Sequence, residues 1–107
     1  MSNGFGNIMK QAQEFQTNLQ KIQEQIAATE VTGESGAGMV KVIMNGRHEV
    51  NRVDIEAGLF GEDKEMVEDL IAAAVNDACQ KVERMTRDMM SDLTAGLGLP
   101  PGFKLPF

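Results

Sequence analysis

Tryptophan and tyrosine are absent, and the chain holds only one cysteine, one histidine and three prolines. Each scarcity excludes something. With five phenylalanines as the whole aromatic set, the eight methionines must fill much of the core or the interfaces, where flexible thioethers pack irregular gaps. A single thiol, Cys79, rules out an intramolecular disulfide framework and fits a reducing cytosol. The lone His48 has no second His or Cys near it in sequence, so no metal site is expected, and no cofactor. No window approaches the ~20 apolar residues of a membrane span. The stretch from Met1 to Gly6 lacks the basic and apolar regions of a secretory signal. The expectation is a soluble cytoplasmic protein with no membrane partner.

What is present points to one ordered domain over residues 1–107, with residues 1–5 as a flexible N-terminus and 96–107 as a Pro/Gly-containing tail. Net charge is −6, which by itself disfavours a phosphate-binding protein. The acid is concentrated, however: the excess lies between Glu62 and Asp77, and both ends of the chain are close to neutral or slightly basic.

From about Phe5 to Ala28 the apolar positions Ile8, Ala12, Phe15, Leu19, Ile22 and Ile26 are spaced alternately four and three apart, predicting one amphipathic helix. Its opposite face is mostly uncharged and rich in glutamine. A glycine-rich stretch from Val31 to Gly38 then reads as a short strand followed by a turn or loop. Val40, Val42 and Met44 alternate with Lys41 as in a half-buried strand. Asn45-Gly46 predicts a type I′ hairpin turn with positive φ at both residues. The return strand is expected through His48, Val50, Val53 and Ile55, with a bulge near Asn51 because the apolar phase slips there. A second helix is predicted from about Asp63 to Gly96, its first turns rich in carboxylates that complement the helix dipole. Its distal half narrows to Val75, Ala78, Val82, Met85 and Met89, a coiled-coil-like seam. A three-stranded sheet is too short to cover that helix, so the seam is expected to be the interface of a homodimer. The fold class is α+β: long helix, three-stranded antiparallel meander, long helix.

Catalysis has little support. His48 reads as a solvated strand residue and Cys79 as a half-buried structural thiol; Gly33–Gly38 lacks the Lys and following helix of a phosphate-binding loop. No enzyme is expected. Lys81, Arg84 and Arg87, joined by Lys104 in the tail, are the one local run of bases. Two readings stand side by side: a solvated face with Asp77–Lys81 and Glu83–Arg87 as i,i+4 pairs, or a phosphate-contacting patch.

The order of elements resembles the YbaB/EbfC nucleoid-associated proteins. So do the runs from Asn7 to Gln13 and from Glu30 to Val42, the Asn45-Gly46 pair, and the runs Arg52 to Ile55, Asp63 to Ala78 and Leu99 to Lys104. The similarity extends over nearly the whole chain. It implies a tweezer-like homodimer in the cytoplasm and nucleoid that binds double-stranded DNA with low or variable sequence preference. Nucleoid organisation and gene regulation are the implied roles. DNA contact is ascribed to projecting helical ends and termini, which here offer Lys10, Lys81, Arg84, Arg87 and Lys104. The alternative is a dimeric protein-interaction adaptor in replication or repair, with an unidentified protein partner docking on the apolar tail around Phe103, Leu105 and Phe107.

Overall fold

A computed structural model describes the backbone of residues 2–96; Lys104 and the rest of the tail lie outside the described residues. The elements follow in the order α1 (Ser2–Ala28), β1 (Glu30–Ser35), β2 (Val40–Asn45), β3 (Val50–Ile55) and α2 (Lys64–Gly96), with single 3-10 turns at Gly36–Gly38 and Ala57–Gly61. The three strands form an antiparallel sheet in the order β1-β2-β3. α1 starts at Ser2, three residues ahead of the expected periodic region.

One face of β2 makes the core. Val40, Val42 and Met44 pack with Leu59 and with Ala74, Ala78 and Val82 of α2, all at 3% exposure or less. α2 lies over β1 and β2. Gly33 sits in the middle of β1, not in a turn, because the helix backbone crosses directly above it. A Cβ there would stand 2.3 Å from the Ala74 carbonyl oxygen and 2.6 Å from the Ala78 Cβ. Small residues on both sides bring the two backbones together.

The hairpin between β2 and β3 differs from the type I′ expectation. The His48 N–H donates to the Asn45 carbonyl at 3.0 Å, closing a turn over residues 45–48, and His48 itself takes φ +63°. Asn45 and Gly46 are not in the left-handed region. The Asn45 side chain holds the loop: its Oδ1 accepts from the N–H groups of Arg47 (2.9 Å) and Glu49 (3.1 Å), the usual task of Asn at the head of a turn. β3 therefore begins at Val50, and His48 is an exposed turn residue. Gly46 is needed for close approach, since a Cβ would lie 1.9 Å from the Ile26 carbonyl where α1 ends against the hairpin. The expected bulge is present: Ile43 pairs with Arg52 and Met44 with Val50, leaving Asn51 as the extra residue.

The radius of gyration is 19.9 Å, and the chain measures 75 × 23 × 17 Å. A compact domain of this length has a radius of about 13 Å. The difference comes from the helices, about 40 and 50 Å long at 1.5 Å per residue, which run beyond the sheet. They pack together on that side: Gln20, Gln23 and Ile26 of α1 share a cleft with Thr86 and Met90 of α2.

Candidate nucleic-acid interface

Two strand edges bound the sheet, and they are treated differently. The outer edge of β1 is occupied by side chains of α2. Asp77 Oδ2 accepts from the Glu34 N–H at 2.9 Å, Lys81 Nζ donates to the Thr32 carbonyl at 2.8 Å, and Ser35 Oγ donates to the Leu70 carbonyl at 2.5 Å. Two backbone groups that could template another strand, the Glu34 N–H and the Thr32 carbonyl, are thereby used. The Glu34 N–H, with the Lys81 ammonium second, holds the Asp77 carboxyl below its ordinary pKa. β3 forms the other edge. Val50 and Val53 are 45% and 44% exposed, although Val53 pairs with the fully buried Val42 and so lies on the core side of the sheet.

Two residues of the expected dimer seam are covered within the chain. Ala78 and Val82 are 0% exposed because the chain's own sheet covers them. Val75, Met85 and Met89 are half-buried.

The five expected DNA-contacting bases separate into three groups. Lys81 is committed: besides the Thr32 carbonyl it pairs with Asp77 at 3.1 Å, so its ammonium staples α2 to β1. Arg84 and Arg87 are exposed on α2, and the Glu83–Arg87 pair expected from spacing is not formed among the described residues. Lys10 is exposed on α1, and Lys104 lies outside the described residues.

Lys21 was missing from the expected set. It shares a shallow groove along the outer face of α1 with Lys10, Gln13, Glu14, Thr17 and Asn18. Eleven residues make just over three helical turns, so Lys10 and Lys21 point the same way, about 16 Å apart. The signal was in the spacing and went unread because the two lysines are distant in sequence. Between them lie hydroxyl and amide groups suited to phosphate oxygens, with Glu14 as the one opposing charge.

The other reactive-looking residues are ordinary. Cys79 Sγ contacts Met44 Sδ at 3.9 Å, half-buried at the core margin. Among the described residues no three His, Cys, Asp or Glu side chains form a metal-holding group, and no helix is long and apolar enough to cross a membrane.

The fold is a helix–meander–helix unit with exposed cations on both long helices. The comparisons with known proteins agree. The YbaB/EbfC DNA-binding family matches residues 1–97. Among solved structures, the uncharacterized protein HP0035 from Helicobacter pylori is similar at 27% identity and a TM-score of 0.69, over 83% of this chain and 95% of that one. The chain belongs to the YbaB/EbfC DNA-binding family, whose members are nucleoid-associated and are defined by DNA binding rather than by a reaction.

Proposed function

We propose that this protein binds double-stranded DNA as a homodimer with low or variable sequence preference, acting in the cytoplasmic nucleoid in nucleoid organisation and gene regulation. Family membership is joined by one observation that carries the reading: the exposed bases of the helical arms lie far from the carboxylates between Glu62 and Asp69 around the start of α2, while the nearer Asp77 is engaged with β1 and Lys81. Asp69 and Arg84 are fifteen residues apart on α2, about 22 Å along the axis. The Debye length is about 8 Å at physiological ionic strength, so the acidic base repels phosphate at the arm only weakly. Lys10, Lys21, Arg84 and Arg87 are the contacts proposed, with Lys81 left out because its charge is used internally.

The dimer contact is assigned to β3. Its edge is the one not filled by α2 side chains, and Val50 and Val53 lie bare beside it. A second copy paired there would extend the sheet and bury those valines.

Fluorescence anisotropy with a short duplex tests the reading. Four phosphate contacts per subunit, eight per dimer, give a slope of about −7 in log K against log salt, so affinity falls by roughly four orders of magnitude between about 50 and 200 mM. Absence of binding at low salt, or binding indifferent to salt, would refute it.

The adaptor reading has one observation of its own. Phe60 is 79% exposed, and Glu62, Asp63 and Glu65 follow within five residues. Loss of a basic protein partner from a Phe60→Ala variant that keeps full DNA affinity would move the emphasis to protein docking.

A further inference from the structure

Among the described residues the seam of α1 is covered at one end and bare at the other. Extended to Phe5, it runs Phe5, Ile8, Ala12, Phe15, Leu19, Ile22, Ile26, with alternating spacings of three and four throughout. Ile26 is 7% exposed, and Ile22, Leu19 and Phe15 are half-buried. Ala12 is exposed, Ile8 is 63% exposed and Phe5 71%. Met9, on the flank, is 48% exposed. A coiled-coil seam does not stop being one because its covering runs out.

We infer that the bare N-terminal third of α1 is a self-association surface, on which the same stripe of a second molecule seats, arm against arm, when DNA brings molecules together. Three observations select a second copy as the occupant. The seam keeps the spacing by which helices pair with helices. Its flanks are uncharged: on a wheel of 100° per residue Gln11 and Gln16 border the stripe, while Lys10, Glu14 and Lys21 fall on the far side. Identical helices can therefore meet without like charges opposed. The area is also small. Phe5, Ile8 and Met9 expose on the order of 300 Å² in all, against about 800 Å² per partner in a stable interface. Pairing is accordingly too weak to hold in dilute free protein and is expressed at the high effective concentration of neighbours on one DNA molecule. Because Lys10 and Lys21 face away from the stripe, arms can pair while keeping their phosphate contacts. The consequence is cooperative filling of long DNA, or bridging of two duplexes.

The effect on DNA rests on the DNA-binding reading; the self-association does not. The variant Phe5→Ser/Ile8→Glu alters only exposed side chains, so circular dichroism and the urea midpoint should match the parent. On a short duplex with room for one molecule its affinity is expected within twofold of the parent. On a duplex of several hundred base pairs the parent should bind with a Hill coefficient of about 2 or more and capture a second labelled duplex on beads; the variant should show a coefficient near 1 and no capture. In sedimentation without DNA, at several hundred micromolar, the parent should show reversible growth in mass that the variant lacks. Equal cooperativity and capture in both proteins would overturn the inference, as would a parent that shows neither behaviour. Equal loss on the short duplex would also overturn it, placing the stripe against DNA. If neither protein binds the short duplex the DNA reading fails, and the sedimentation difference alone then decides for or against self-association.

Discussion

Replacing Gly33 by alanine adds one methyl group at the tightest contact between helix and sheet. Its Cβ would fall 2.3 Å from the Ala74 carbonyl oxygen and 2.4 Å from the Ala78 backbone nitrogen. Both are backbone atoms, so no rotamer change relieves the overlap. α2 must move off β1 by about 1 Å to reach ordinary contact distance. That movement opens space around Val40, Val42 and Val82, which are 0% exposed, and lengthens the Asp77 and Lys81 bonds to β1. Overpacking alone costs about 1–3 kcal/mol, and loosening a filled core adds to it, so about 3 kcal/mol or more is expected. At roughly 4–8 °C per kcal/mol for a domain near this size, the melting midpoint should fall by more than about 12 °C. Urea unfolding followed by circular dichroism, at one fixed protein concentration since association contributes to stability, measures the loss. Gly58→Ala is the control, because nothing lies within 4 Å of a Cβ there. A Gly33→Ala protein within about 1 kcal/mol of the parent would refute the close-packing account.

Lys81 and Arg87 should separate cleanly. Lys81→Met is expected to lower the urea midpoint while DNA affinity stays within threefold, whereas Arg87→Gln should leave stability alone and reduce the salt slope by about two, one for each subunit of the dimer. Acid should act through Asp77: its folded pKa is lowered from 3.8, so its stabilisation is present above that value and lost as pH falls through the lower folded one. The stability difference between the parent and Asp77→Asn should therefore be steady above about pH 5 and shrink below about pH 4; a difference unchanged down to pH 2.5 would contradict the clamp. Val53→Asp should give a folded monomer by light scattering, because Val53 lies half exposed beside the open edge. Val82→Asp should unfold the chain instead, since that side chain is sealed in its own core. A folded dimer in the first case would remove β3 from the interface.

The elements themselves were legible because each rests on local rules. Alternating spacings of three and four marked both helices, the alternation at Val40, Val42 and Met44 marked β2, and the phase slip after Val50 marked the bulge at Asn51. The turn type was misread because Asn45-Gly46 satisfies two geometries. Contact between Gly46 and the end of α1, with the bonds made by Asn45 Oδ1, selected the one that puts His48 in the left-handed region.

By itself, then, the sequence determined two long helices around a three-stranded meander, and its resemblance already pointed to DNA. It could not decide what each helix face meets, because a periodic apolar seam states that a surface must be covered without stating by what. Only the tertiary structure resolved this. Gly33 lets α2 close onto β1, so Ala78 and Val82 are covered by the chain itself and the open surface moves to β3 and the tip of α1. The same closure brings the Thr32 carbonyl within reach of Lys81 and so commits that ammonium internally, while the helical turn sets Lys21 on the same face as Lys10.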